Sequence, residues 1–163
     1  MAKFGAIYLS FDEGLIEKVD EISQILIQVG YLFIVRYHRE SPWIQLYVEE
    51  PENVSDYAYK VSKIFPNRQV MGLAAYTVYD SVSFSHFENG KIVRLLESGF
   101  EKKRLWDKIE GNTQPWESQI FGNMKMEIGS VGMVSYHIQK IGQFFQLPGF
   151  GIPQQGEPWT KEI

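Results

Sequence analysis

Cysteine is absent from this chain of 163 residues. Disulfide bonds, zinc sites with thiolate ligands, iron–sulfur clusters and thiol nucleophiles are therefore excluded on chemical grounds. Long apolar runs are also missing, because no stretch approaches the ~20 apolar residues that a membrane-spanning helix needs. The amino terminus, Met1-Ala2-Lys3-Phe4, lacks the apolar core of a signal peptide. We expect a cytoplasmic protein that does not associate with a membrane.

Positive charge is scarce. The chain has 16 lysine and arginine residues against 20 aspartate and glutamate residues, which gives a formal net charge of −4. Proteins that bind nucleic acid usually exploit a net positive field around the binding surface. We therefore predict no nucleic-acid partner.

Histidine is also rare, and its distribution argues against a metal site. The three histidines, His38, His86 and His137, are far apart in the sequence, and none has the spacing of a zinc-binding motif. We predict no metal and no cofactor. His38 lies in a basic stretch near a turn and is expected in a solvated basic corner. His86 alternates with Phe84, which favours a hydrogen-bonded histidine at the edge of the core.

The composition is that of a globular protein. Hydrophobic residues make up 44% of the chain, charged residues 22% and aromatic residues 15%, so a core rich in aromatic side chains is expected. A chain of this length buries roughly 70% of the surface that its unfolded form exposes. We predict a single domain over residues 1–163, with a core in residues 1–100 and a C-terminal extension in residues 101–163.

Hydrophobic patterns of two kinds follow one another along residues 1–100. Alternation predicts strands, spacing of three and four residues predicts amphipathic helices, and the Asn89-Gly90 pair predicts a hairpin turn. The predicted strands are 4–11, 31–38, 43–49, 69–78, 81–87 and 91–97, and the predicted helices run from a Ser10–Glu13 capping box to Gly30 and from Pro51 to Phe65. This order predicts an α+β fold with a ferredoxin-like βαββαβ core, extended by a β-hairpin.

Beyond residue 100 the patterns are less regular. Residues 106–117 are rich in tryptophan and are interpreted as a loop. Helical spacing predicts a helix over 131–146 that Ser130 caps, and an irregular tail rich in proline and glycine follows. Gly132 and Gly142 count against this helix, because glycine is unfavourable inside helices.

Four aromatic residues are predicted on the sheet face that the first two helices leave open. They are Phe4, Tyr8, Trp43 and Tyr47. Each such ring buries roughly 150–250 Å², so the four together match or exceed the largest apolar patch usual on a monomer. Either the C-terminal segment or a second subunit is expected to cover them, and we identify them as a candidate interface.

Arg94 is predicted on the same strand face as Ile92 and Leu96. A buried guanidinium needs a carboxylate partner, because an unpaired buried charge is costly. The candidate partners are Asp80, Glu97, Glu110 and Glu117. We predict a structural ion pair, with an anion-binding arginine as the functional alternative.

A distinctive string occupies residues 106–117, reading W-x-x-I-E-G-x-x-Q-P-W-E from Trp106 to Glu117. Together with Arg94-Leu95-Leu96 it resembles a segment of an uncharacterised bacterial protein family, a domain of unknown function, over residues 92–117. The resemblance implies a soluble bacterial domain and no particular substrate.

Two functional hypotheses follow. The leading one is a non-catalytic module that binds a protein partner or self-associates, most simply as a homodimer, through the open aromatic face. The alternative is a small-molecule-binding protein or hydrolytic enzyme, with a pocket between the 80–97 hairpin and the 106–117 loop. The side chains expected to converge on that pocket are His86, Arg94, Trp106, Trp116 and Glu117. No catalytic residue is assigned.

Overall fold

A computed structural model describes residues 3–11, 19–31, 33–76, 80–99, 104–151 and 158–162 of the chain. Within these ranges, eight strands form one antiparallel sheet and four α-helices pack against its two faces. Strands β1 to β8 are Lys3–Ser10, Ile34–Tyr37, Trp43–Tyr47, Gln69–Tyr76, Ser81–Glu88, Lys91–Ser98, Trp106–Gly111 and Lys161–Glu162. Helices α1 to α4 are Val19–Leu26, Val54–Ile64, Glu117–Phe121 and His137–Phe144.

The sheet is open and runs in the order β7-β6-β5-β4-β1-β3-β2-β8. Every neighbouring pair is antiparallel. The predicted α+β class is therefore confirmed. The predicted hairpin is present as β5 and β6, and both Asn89 and Gly90 of its turn have positive φ angles, as a tight two-residue hairpin turn requires.

One face of the sheet is covered by α1 and α2. Alternation along β1 sends Ile7 and Leu9 to this side, where they pack with Ile22 of α1 and Ala58 of α2 in one continuous apolar cluster. Pro51 begins the short 3₁₀ turn that leads into α2. Proline suits this position because its fixed φ angle is already close to the helical value. The predicted start of the first helix at Glu13 lies outside the described residues.

The opposite face carries the aromatic residues that were predicted to need a cover. The ring of Phe150 packs against the rings of Phe4 and Tyr8, with centroid distances of 5.8 and 6.5 Å. The indole Nε1 of Trp43 donates a hydrogen bond of 2.8 Å to the carbonyl oxygen of Phe145. The C-terminal segment of the same chain therefore covers this face, and Tyr8 and Trp43 are buried.

Gln45 joins the sheet to the same C-terminal segment. Its Nε2 donates to the carbonyl oxygen of Pro148 at 3.1 Å and to the hydroxyl of Tyr8 at 3.3 Å. Burial raises the pKa of the Tyr8 hydroxyl. Tyr47, the fourth predicted face residue, is half-buried, with the Arg36 guanidinium 5.9 Å from its ring centroid. Three of the four predicted interface residues are thus packed against, or buried by, the chain itself.

Two predictions for the C-terminal half are wrong in part. The first half of the predicted 106–117 loop is strand β7, which pairs with β6. The predicted helix over 131–146 begins only at His137. The backbone before it is used elsewhere, because the carbonyl of Ser130 accepts the Trp106 N–H at 2.8 Å and Val131 bridges to Leu105. Ser130 therefore does not cap the helix.

His38 is buried, contrary to the prediction of a solvated corner. Its Nδ1 accepts the backbone N–H of Glu40 at 3.2 Å, so the ring belongs to the turn between β2 and β3. The tail was predicted to be irregular, but it adds strand β8 at this edge, with Glu162 as the cross-strand backbone partner of Arg36. Within the described ranges, no helix combines the length and the apolar character needed to cross a bilayer.

Candidate functional site

Arg94 and Glu117 form a buried ion pair between β6 and α3. The guanidinium Nε lies 3.0 Å from Glu117 Oε2 and Nη2 lies 2.8 Å from Oε1, while Nη1 donates to the carbonyl oxygen of Gly111 at 2.7 Å. Both residues are 2% exposed. Of the four candidate partners for Arg94, the structure selects Glu117, and the predicted structural ion pair is confirmed.

The tryptophan-rich string builds this ion pair. Gly111 ends β7 with φ of 83°, and a Cβ there would overlap the carbonyl of Val93, so glycine is required for the close approach to β6. The Gln114 N–H then donates to Glu117 Oε2. Trp116 packs into the core beside it, 5.2 Å from Phe84 between ring centroids. Residues 106–117 therefore have a structural role, which is to link β6, β7 and α3.

The other two predicted pocket residues belong to the same packed layer. His86 is the cross-strand neighbour of Arg94, and burial lowers its pKa from 6.5 to about 4. Trp106 is 1% exposed and its ring packs edge-on against Phe121. Among the described residues, neither His86 Nε2 nor Trp106 Nε1 has a hydrogen-bond partner. The five residues share one side of the sheet, but they fill a core, and none of them lines either of the two cavities described next.

The larger of these cavities, the α4 groove, lies between α4 and the sheet and has a volume of about 330 Å³. Apolar and aromatic side chains dominate its walls, and Ser135, Tyr136 and Gln139 supply polar groups. The full lining is Phe4, Ala75, Ser135, Tyr136, Ile138, Gln139, Gly149 and Phe150. A groove of this size and character is typical of small-molecule sites, which measure roughly 300–1,000 Å³.

Two side chains hold the entry to α4 in place. Asp80 Oδ1 accepts the Ser135 N–H at 2.8 Å, and His137 Nδ1 accepts the Val134 N–H at 3.0 Å. Both interactions satisfy backbone donors just before the helix, where intrahelical partners are lacking. Burial and the positive charge of Lys140 lower the pKa of His137, against the opposing charge of Asp80, so the ring is held neutral as an acceptor.

Gly142 sets the distance between α4 and the opposite wall of the groove. A Cβ at this position would overlap the ring of Phe150. Glycine therefore lets Phe150 lie directly against the helix, where it also contacts Phe4 and Tyr8. This packing explains a glycine inside a helix that propensity alone disfavours.

The α4 groove is lined by few titratable side chains. Its described lining contains no carboxylate, histidine or lysine side chain. Within this described lining, Tyr136 has a side chain that can act in general acid–base catalysis.

The second cavity, the serine–glutamate cleft, lies on the other side of the sheet beside the start of α2 and measures about 90 Å³. Ser55 Oγ and Ser83 Oγ both lie within hydrogen-bond distance of Glu97 Oε1, at 3.0 and 3.1 Å. The Tyr76 hydroxyl donates to Glu52 Oε2, and this hydrogen bond lowers the pKa of Glu52. The remaining lining residues are Pro51, Ala74, Ala75, Ser81 and Ser98.

Sequence reasoning missed both cavities. The α4 groove brings together Phe4 at the start of the chain and residues 135–150, a juxtaposition that no local pattern encodes. The serine–glutamate cleft had a weak signal in the alternating serines Ser81, Ser83 and Ser85 of β5, which place hydroxyls on a face that packs under α2.

Comparisons with known proteins add no relationship. No protein-family model matches the chain, and neither curated proteins nor solved structures provide a match. Among the residues that the structure describes, no group of three or more histidine, aspartate or glutamate side chains is placed to hold a metal ion. Any assignment of function therefore depends on the cavities and surfaces of this chain.

Proposed function

We propose that this protein binds a small, largely apolar molecule in the α4 groove. The observation that carries the proposal is the groove itself, which has a volume of about 330 Å³ and is lined by Phe4, Ile138 and Phe150 among others. Sites of this kind combine an apolar wall with a few polar groups that orient the ligand. The proposal keeps the small-molecule alternative predicted from the sequence and moves its pocket to a different part of the fold.

The lining also indicates the class of ligand. The rings of Phe4, Tyr136 and Phe150 present flat apolar surfaces, which favour an aromatic or alicyclic ligand. The Ser135 hydroxyl and the Gln139 amide can each donate or accept a hydrogen bond. A ligand with one apolar ring system and one or two hydrogen-bonding groups fits these features, and a highly charged ligand does not.

Substitution at the mouth of the groove tests this function. Gln139 is exposed and lines the groove, whereas Gln143 is exposed one turn further along α4 and does not line it. We expect Gln139→Trp to fill the groove and to abolish binding of apolar ring fragments, while Gln143→Trp leaves binding unchanged. Ligand-detected NMR with a library of such fragments measures this, and thermal unfolding checks that both variants are folded.

The control variant decides the result. Fragments that bind the wild type and Gln143→Trp equally, but not Gln139→Trp, support the proposal. If no fragment distinguishes Gln139→Trp from Gln143→Trp, the α4 groove is not the binding site and the proposed function fails.

Self-association is a second candidate function, and the outer side of α4 supports it. Tyr136, the N-cap residue of α4, also lines the α4 groove, and it and Phe144 are 57% and 44% exposed with Lys140 between them along the chain. Exposed aromatic residues such as these are typical of interfaces. The interaction module predicted from the sequence would then use this surface, because the predicted aromatic face is covered by the chain itself.

We also propose that the sheet contains a ferredoxin-like core. The order β4-β1-β3-β2, with α1 and α2 on one face, supports a ferredoxin-like core inside the larger sheet. A single domain, a bacterial origin and a cytoplasmic location stay predictions from the sequence.

A further inference from the structure

The serine–glutamate cleft is separate from the α4 groove and lies on the opposite side of the sheet. Three oxygens, Ser55 Oγ, Ser83 Oγ and Glu97 Oε1, form a compact triangle with distances of 3.0, 3.1 and 3.2 Å. Three different elements hold it, because Ser55 belongs to the first turn of α2, Ser83 to β5 and Glu97 to β6. The triangle is therefore built by the tertiary structure and not by one flexible loop.

This triangle offers more hydrogen-bond acceptors than donors. Each serine hydroxyl has one proton, and a carboxylate has none. When both hydroxyls donate to Glu97 Oε1, no proton remains for the contact between Ser55 Oγ and Ser83 Oγ, and each serine oxygen keeps lone pairs that can accept. The Tyr76 hydroxyl likewise donates its hydrogen bond to Glu52. The cleft thus presents mainly hydrogen-bond acceptors and calls for a ligand that donates.

The charged residues that line the cleft also favour a ligand that donates hydrogen bonds. Its described lining includes two carboxylates, Glu52 and Glu97, and no lysine, arginine or histidine. Two lysines lie nearby but outside the lining. Lys3 is close enough to contribute to the lowered pKa of Glu52, and Lys108 is the cross-strand neighbour of Glu97 on β7. The charged side chains that line the cleft itself are therefore both negative, with the two lysines beside it.

We propose that the serine–glutamate cleft binds the protonated amino group of a small alkylammonium ligand. An ammonium group supplies up to three N–H donors and one positive charge, which matches acceptor-rich, acidic walls. The volume of about 90 Å³ leaves room for a small head group. A longer alkyl chain would extend toward solvent.

Other ligand classes fit less well. Anions meet two carboxylates, and neutral alcohols lack the charge that these carboxylates favour. A divalent metal ion prefers several carboxylate or carbonyl oxygens, whereas the described residues contain no cluster of three acidic or histidine side chains. The mixture of hydroxyls and two carboxylates therefore favours an organic cation with N–H donors.

Titration with simple amines tests the proposal. The probes are ethylammonium and butylammonium chloride, with tetramethylammonium chloride as a cation that has no N–H donor and potassium chloride as the salt control. Binding is followed by the amide chemical shifts of the ¹⁵N-labelled protein. We expect saturable shifts at Ser55, Ser83 and Glu97 with the two alkylammonium ions, and no saturable shifts there with tetramethylammonium or potassium.

Two variants and one matched control localise the binding. Glu97→Gln keeps an oxygen acceptor for the serines and removes the charge, and Ser83→Ala removes one acceptor. Each should weaken alkylammonium binding by about tenfold. Glu88→Gln, at an exposed position of β5, should leave binding unchanged. Equal binding by Glu97→Gln and Glu88→Gln, equal binding of tetramethylammonium, or the absence of saturable shifts at these residues would each overturn the assignment.

Discussion

At the scale of single residues, the buried polar groups of this protein differ in how they are satisfied. Arg94 and Glu117 satisfy one another with two charge-assisted hydrogen bonds, and backbone groups complete their surroundings. His86, the neighbour of Arg94, has a buried Nε2 without a hydrogen-bond partner among the described residues. A neutral imidazole tolerates this environment, whereas an imidazolium would have to be desolvated.

His86 should make stability depend on pH. Burial lowers its pKa from 6.5 to about 4, so the unfolded chain takes up this proton at a higher pH than the folded protein does. The stability that the neutral ring contributes is fully present above pH 6.5 and is lost as the pH falls towards 4, by roughly 3 kcal/mol in total.

His86→Gln removes this titration. Urea unfolding of the wild type and the variant between pH 7 and pH 4 should therefore show a smaller acid-induced loss for the variant. The difference between the two proteins isolates His86 from the other histidines. Parallel stability curves over this range would show that the folded-state pKa of His86 is not lowered.

At the scale of secondary-structure elements, short pieces of the C-terminal half are held by specific links. Helix α3 has five residues and α4 has eight, lengths at which isolated helices are unstable in water. The ion pair to β6 holds α3, and the contact between Gly142 and Phe150 sets the position of α4. Tertiary contacts therefore stabilise these helices more than their own propensity does.

The Arg94–Glu117 ion pair should be essential for the link between β6 and α3. We expect Glu117→Ala to reduce the free energy of unfolding by about 3–5 kcal/mol, because it leaves the buried guanidinium without its counter-charge. Replacing both partners, as in Arg94→Met with Glu117→Leu, should destabilise the protein much less than Glu117→Ala alone. Urea unfolding measures all three proteins.

The exposed Asp56–Lys60 pair of α2 provides the control for this experiment. Its two side chains are 68% and 47% exposed and 3.5 Å apart, so solvent screens their attraction. Asp56→Ala should cause a much smaller loss than Glu117→Ala. Similar losses in the two variants would mean that burial does not strengthen the Arg94–Glu117 interaction.

At the scale of the whole molecule, one sheet separates two apolar clusters. Helices α1 and α2 cover one cluster, while α3, α4 and residues 145–151 cover the other. The two cavities lie on opposite sides of this sheet, near the end of β4, where Ala75 lines both. A ligand in the α4 groove and a cation in the serine–glutamate cleft would therefore occupy sites separated by a single strand layer.

The oligomeric state shows whether the outer side of α4 is an interface. If the outer side of α4 mediates self-association, the mass from light scattering coupled to size exclusion should rise with protein concentration. Phe144→Ser should keep the protein monomeric, because it removes an exposed ring that does not line the α4 groove. Gln143→Ser serves as the neighbouring control. A wild type that is monomeric at every concentration would rule out this interface.

Several features were determined by the sequence alone. Alternation and helical spacing indicated β1, α2 and the β5–β6 hairpin, because strong periodic patterns and an Asn-Gly turn are local signals. The same reasoning predicted that Arg94 would be buried with a carboxylate, because a charge on an apolar strand face requires one.

Which side chains meet depends on the tertiary structure. Glu117 rather than Asp80, Glu97 or Glu110 pairs with Arg94, and this choice depends on how β7 and α3 return to β6. Strand β7 replaced a predicted loop because its backbone pairs with β6 and with residues 129–131, which are distant in sequence. The cover of the aromatic face, the α4 groove and the position of α4 depend on residues 145–151 folding back over the sheet, and local sequence patterns carry no information about such long-range contacts.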